Sequence, residues 1–233
     1  PISGKVVAIT HATHTATVEP ADGGAPFDLS YRDVVMAARS VTRTFPIPGL
    51  AEVGIGMKTI EEAVEMRNKV LERIETASLM TDQAARARAL TFVVVGGGFA
   101  GIETITEIED MARGAVRENN RLKREDLRFV MIEAMGRVMP EVKPDQAEWV
   151  VASMRERGIE VLLNTSLASA EGGLLKLINM ADKSPAGEFE ADTLIWTAGV
   201  QANPMVRATD FPIDDRGRVR ANAELRITGD DGP

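Results

Sequence analysis

Gly96, Gly98 and Gly101 stand at the spacing G-x-G-x-x-G, directly after the apolar run Thr91-Phe92-Val93-Val94-Val95 and at the head of a helical pattern. In that setting each glycine has its own task. Gly96 permits a tight turn, Gly98 lets a diphosphate approach the backbone with no Cβ in the way, and Gly101 lets the helix pack closely on the strand. The amides across Gly97, Gly98, Phe99 and Ala100, together with the helix dipole, then hold phosphate charge. A glycine-rich turn with no ligand is the plain alternative.

Glu133 weighs against that alternative, because it ends the next apolar run, Arg128-Phe129-Val130-Met131-Ile132. A carboxylate there accepts hydrogen bonds from both hydroxyls of an adenosine ribose and repels a 2′-phosphate. Ala134 and Met135 after it are not basic, and Arg137 is the nearest cation. The pattern favours NADH over NADPH. Glu133 lies further from the glycines than the usual ~20 residues; a longer helix and the polar stretch 118–127 absorb the excess. Glu103, two residues past Gly101, is expected in the first helical turn, where the dipole favours a carboxylate. Its functional reading aims it at the nicotinamide end of the cleft.

The elements around these residues follow from periodicity. The apolar run 91–95 reads as a strand buried on both faces, 128–132 as a second buried strand and Ile159 to Leu163 as the next strand. Ile102, Ile105, Ile108 and Met111/Ala112 give the intervening helix its apolar face, and Asp145–Arg157 forms the next helix with Gly158 at its C′ position. Strand, helix, strand, helix, strand from Leu90 to Leu163 implies a right-handed parallel α/β unit. Hairpins are expected around Gly172-Gly173 and Ala186-Gly187, and a last strand over Thr193–Thr197. Upstream, Lys5–Ile9, Thr15–Glu19 and Phe27–Leu29 read as an antiparallel meander, and Asp33–Ala38 as a buried strand ended by Pro46 and Pro48. Val34–Arg39 and Leu194–Gly199 echo each other as strand exits. Thr59 and Glu62 form a capping box for a helix reaching Met80, with Ile60, Ala63, Val64, Leu71 and Ile74 on one face and Met66 and Val70 widening it; a shorter helical stretch follows Asp82.

The composition narrows the function further. A net charge of −8 over 233 residues argues against a nucleic-acid binder, which needs clustered positive charge. There is no cysteine, so thiolate catalysis, disulfides and Cys-based metal sites are excluded within the chain. No apolar run approaches the ~20 residues of a membrane-spanning helix, and no signal peptide is visible. The chain opens on Pro1 rather than Met and closes on Gly232-Pro233, which reads as a piece of a longer protein.

The stretch from Thr91 to Glu103, Arg43-Thr44-Phe45-Pro46-Ile47-Pro48-Gly49, the Val138-Met139-Pro140 loop and Trp196-Thr197-Ala198-Gly199 resemble type II NADH dehydrogenase, the single-subunit NADH:quinone oxidoreductase, in its actinobacterial form. The similarity covers nearly the whole chain. It implies a two-dinucleotide-binding-domain flavoprotein: a Rossmann-like NADH-binding domain, a parallel sheet with a β-hairpin layer, inserted in an FAD-binding domain that is incomplete here. On that pattern residues 1–57 and 199–233 are FAD-domain parts, 58–87 the junction helix and 88–198 the NADH domain. The implied cofactors are NADH, held by Gly96 to Gly101 and Glu133, and FAD. Ala198 and Gly199 match the strand exit facing the flavin, and Val6, Ala37 and Ala38 match positions near the FAD adenosine and pyrophosphate. Glu103 matches the family glutamate near the nicotinamide. Hydride passes from NADH to flavin, and electrons go on to a quinone.

The resemblance also implies a peripheral protein of the respiratory chain on the cytoplasmic face of the membrane. Attachment uses segments missing from this chain, which alone is expected to be soluble; a homodimer is allowed. The departures are the first flavin-binding glycine motif, the flavin-contacting Gly-Asp, the quinone-lining segment and Arg39 in place of glycine. The chain is therefore expected to bind NADH without turning over quinone by itself. Rival readings are a ferredoxin- or disulfide-type flavin reductase and a non-catalytic NADH-binding module. His11 and His14, expected on opposite faces of a strand, give no metal site, Gly229-Asp230 lacks the apolar strand expected before a flavin contact, and the basic cluster Arg121–Arg128 reads as solvated surface.

Overall fold

A computed structural model describes residues 2–227, and the Gly229-Asp230 pair lies outside them. The chain divides into two units, Pro1–Val41 with Val200–Pro233, and Thr42–Gly199. Residues 42–87 thus fall in the same unit as the 88–198 stretch.

The first unit begins with the expected meander: β1 (Gly4–Thr10), β2 (Thr15–Pro20) and β3 (Phe27–Ser30), antiparallel in that order. The β1–β2 connection is a 3-10 turn over His11–Thr13, not strand. The His11 and His14 rings therefore lie together, with centroids 5.1 Å apart, which corrects the opposite-face expectation. Among the described residues no metal-binding cluster forms. Asp33–Ala38 is also corrected. It runs extended without pairing to any strand among the described residues. Val34 and Met36 lean on a small core of Ile9, Ala16 and Phe211, while Val35 is 88% exposed. A segment packed on one side only cannot be the doubly buried strand its composition suggests. The echo with Leu194–Gly199 fails as a strand pair, yet Arg39 (φ 60°) and Gly199 (φ 143°) both have positive φ. A short strand, β4 (Ser40–Thr42), follows.

The second unit continues with a helical turn, α1 (Leu50–Val53), then β5 (Gly54–Gly56), α2 (Ile60–Leu79), α3 (Gln83–Ala89), β6 (Thr91–Val95), α4 (Phe99–Arg117), β7 (Arg128–Ile132), α5 (Pro144–Glu156) and β8 (Ile159–Leu162). Three antiparallel strands come next, β9 (Thr165–Ser169), β10 (Leu174–Asn179) and β11 (Pro185–Glu190), and then β12 (Thr193–Trp196). Back in the first unit lies β13 (Val200–Ala202). The parallel sheet has the order β5-β12-β6-β7-β8, and a second sheet the order β11-β10-β9.

Every residue of β6 is buried because the strand is covered on both sides. Phe92 and Val94 join α2, α4 and α5 in one core; Val93 and Val95 join Leu167, Leu175 and Leu177 of the antiparallel sheet in another. The unit is thus helices, parallel sheet and β layer in three tiers. Thr59 caps α2, accepting the Glu62 amide while Glu62 Oε2 accepts the Thr59 amide at 2.8 Å. The buried stripe of α2 is Met66, Val70, Ile74 and Ala77, whereas Ile60 is 77% exposed. The core takes the Met66, Val70 and Ile74 side of the expected face and leaves Ile60, Val64 and Leu71 exposed. The second hairpin also shifts: its turn lies at 180–184, and Gly187 (φ 109°) sits in a bulge of β11.

Candidate functional site

Gly96 makes the tight turn and Gly101 the close packing expected from their spacing. Gly96 turns at φ 116°, and its amide donates to Ile132 O at 2.8 Å. A Cβ at Gly101 would stand 1.8 Å from Gly96 O, so α4 rests directly on the turn. At Gly98 a Cβ would meet nothing within 4 Å. The space over Gly98 is open, and α4 starts there with no side chain capping it. No side chain takes up the first amides of this 19-residue helix, the setting in which helix starts can hold an anion. Phe99 and Ala100, the first helical residues, are exposed.

Glu133 follows β7, the neighbour of β6, so its carboxylate reaches across to the glycine turn. Oε2 accepts the Gly97 amide at 2.5 Å and Oε1 accepts the Met135 amide at 2.7 Å. These charge-assisted bonds fix both oxygens beside the turn, and a carboxylate has lone pairs left for further donors. On the other side of β6, Thr197 follows β12; its hydroxyl donates to Val95 O at 2.9 Å and Gly96 O at 3.2 Å. Ala198 N lies 2.8 Å from where a Gly96 Cβ would be. From β6 the chain goes to β7 on one side, while β12 arrives from far along the sequence on the other. Ligands of open α/β sheets bind at such a reversal, beyond the carboxyl ends of the strands.

The fold thus brings together Gly96, Gly97, Gly98, Phe99, Ala100, Gly101, Glu133 and Ala198. Gly199, at φ 143°, sits against the Phe45 ring. Glu103 is corrected: it opens the second turn of α4, since Phe99 is the first helical residue and no acidic residue lies in the first turn. It is exposed and its side chain has no partner among the described residues. Val6, Ala37 and Ala38 belong to the other unit.

Two stretches quoted for the resemblance, Trp196–Gly199 and the Val138–Pro140 loop, contribute to the site in a way the sequence reading did not assign: Thr197 through its hydroxyl, and the loop through its contact with Gly97. Met139 N donates to Gly97 O at 2.8 Å, and Val138 Cγ1 lies 2.9 Å from a Cβ built on Gly97. Arg137, the nearest cation after Glu133 in the sequence, spends Nη2 on the carbonyls of Met139, Pro140 and Val142.

Residues 2–232 match the family described as pyridine nucleotide-disulphide oxidoreductase. The chain is similar to the type II NADH:quinone oxidoreductase NdhA of Mycobacterium tuberculosis, 30% identical over 210 residues, covering 85% of this chain and 43% of that protein. It is similar to a probable NADH dehydrogenase of Dictyostelium discoideum, 28% identical over 204 residues, covering 87% and 44%. The fold matches that of NDH2 from Plasmodium falciparum, solved in complex with NADH, with a TM-score of 0.87, 19% identity and coverage of 97% and 46%. The chain spans less than half the length of these relatives.

Proposed function

The chain belongs to the pyridine nucleotide-disulphide oxidoreductase family, and from that membership we propose that its second unit binds NADH for hydride transfer to FAD, with electrons passing on to a membrane quinone. One observation carries the reading: an uncapped helix start open over Gly98, with a carboxylate bonded to the adjoining Gly97 amide. The cradle suits a diphosphate, and the carboxylate suits a ribose diol while repelling a 2′-phosphate.

In this reading the α4 amides hold the diphosphate, and Glu133 accepts from the adenosine ribose. The exit of β12 at Ala198 and Gly199 is assigned to the side facing the flavin. Glu103, exposed on α4 near the helix start, is assigned to the nicotinamide end of the cleft. Flavin, when bound, supplies the redox chemistry, and the protein contributes binding and orientation. Val6, Ala37 and Ala38 are assigned to the flavin side. The domain reading follows: residues 88–198 as the nucleotide domain, 58–87 as its junction helix, 1–57 and 199–233 as flavin-domain parts. Since NdhA, at 30% identity, is named for quinone reduction, a quinone is the proposed acceptor, and a peripheral position on the cytoplasmic face of a membrane goes with it. By itself the chain is proposed to bind NADH without turning over quinone.

Equilibrium titration of the 233-residue chain with NADH and NADPH tests this. Saturable NADH binding with NADPH weaker is expected. Equal affinity, or no binding of either, removes the proposal.

A further inference from the structure

Arg137 sits four residues beyond Glu133 and is the nearest cation to the proposed ribose site, where a basic side chain would ordinarily suggest an anchor for a 2′-phosphate. The structure gives it other partners. Its Nη2 donates to Pro140 O at 2.8 Å, Val142 O at 2.5 Å and Met139 O at 3.3 Å. No carboxylate pairs with it among the described residues. Its Nε is buried with no acceptor. The guanidinium is therefore half-buried, without a counter-ion, and committed to the backbone of its own loop.

That loop is the wall behind the glycine turn. Met139 holds φ 46°, an unfavourable conformation for a side-chain-bearing residue, and in that conformation donates its amide to Gly97 O. Val138 is fully buried against Gly97. Three carbonyls drawn onto one cation over-determine the strained turn, which is the condition for such strain to persist. Gly97 is thus gripped from both ends: its amide by Glu133, its carbonyl by Met139.

We propose that Arg137 is a positioning residue for the dinucleotide cradle: it staples the 138–142 loop beneath Gly97, and by that commitment is withheld from any 2′-phosphate. The inference rests on the NADH reading of the site. It leaves the chain's preference to Glu133, which repels a 2′-phosphate, and gives Arg137 a part in the cradle's geometry that both nucleotides share.

The test titrates wild type, Arg137→Met and Arg137→Lys with NADH and NADPH, and follows thermal melting of each. A positioning role predicts NADH affinity about tenfold weaker in Arg137→Met, the worth of a charge-assisted hydrogen bond, with the NADH:NADPH ratio unchanged. Lysine, which keeps the charge but lacks the fork, restores part of the loss for both nucleotides alike. Unchanged NADH affinity in Arg137→Met overturns the proposal, as does a loss confined to NADPH, the signature of an anchor. Should Arg137→Met fail to fold, the lysine variant decides by the same two criteria. Wild type that binds neither nucleotide removes the NADH reading itself, a result distinct from wild-type binding that Arg137 variants leave untouched.

Discussion

Glu133 accepts the Gly97 amide at 2.5 Å, tying the end of β7 to the turn that follows β6. The carboxylate has two tasks in one place. It orders the turn through its own amide bonds, and in the proposed function its remaining lone pairs accept from a ribose. Glu133→Gln keeps one carbonyl oxygen but turns the other into a donor facing a backbone N–H. NADH affinity is expected to fall about tenfold, with NADPH affected less, so the preference narrows. Titration of both nucleotides checks this; an unaltered ratio refutes the specificity role.

Gly98 and Gly101 separate binding from stability. Gly98 has ordinary φ and open space above it, so Gly98→Ala is expected to cost less than about 0.5 kcal/mol of stability. A methyl group there obstructs the diphosphate, so NADH binding weakens sharply. At Gly101 the methyl meets Gly96 O at 1.8 Å, and Gly101→Ala is expected to destabilise by at least ~1–3 kcal/mol. Melting curves beside nucleotide titrations distinguish the two; a Gly98→Ala variant with wild-type affinity contradicts the cradle.

Arg39 occupies φ 60° without glycine's freedom. A left-handed conformation costs a side-chain-bearing residue about 1–2 kcal/mol, part of which glycine returns as unfolded-chain entropy. Arg39→Gly is therefore expected to stabilise the chain by up to about 1 kcal/mol. Denaturant midpoints measure it, and a lower midpoint for the variant argues against strain at this residue.

Asp210 links the β1–β2 turn to a distant stretch of the same unit, accepting the amides of His11 at 2.6 Å and Ala12 at 2.9 Å. The Ala12 amide, then that of His11, hold its carboxyl below the usual carboxylate range. A depressed acid stabilises the fold above its unfolded value and loses that contribution as pH falls through the folded one. The loss is expected below about pH 4, the ordinary value of aspartate. Asp210→Asn should flatten this acid limb, and melting temperatures taken across the range test it. An identical limb in both proteins assigns the acid sensitivity elsewhere.

The second unit is legible because its signals are local. Val93 to Val95 are apolar without alternation since both faces of β6 are covered, and the glycines announce their turn by spacing. The site's framework, Gly96 to Gly101 with Glu133, follows from the same strands. Other features depend on which neighbour wins. Ile60, Val64, Met66 and Val70 all look like core on α2, and only the sheet's position chooses among them. Asp33–Ala38 has strand composition, yet among the described residues no partner strand covers it. Glu103 was placed one turn early because the first helical residue is Phe99, which the motif does not mark. Arg137 was legible as a cation but not as a staple, because its three carbonyls come from a loop with no periodicity to read.

The Arg43 amide donates to the Gly199 carbonyl at 3.2 Å, joining the second residue of the unit that starts at Thr42 to its last. Its way in and its way out therefore run shoulder to shoulder. A body with touching ends behaves as a cassette, transplantable into a surface loop of another host with a linker of a few residues on either side.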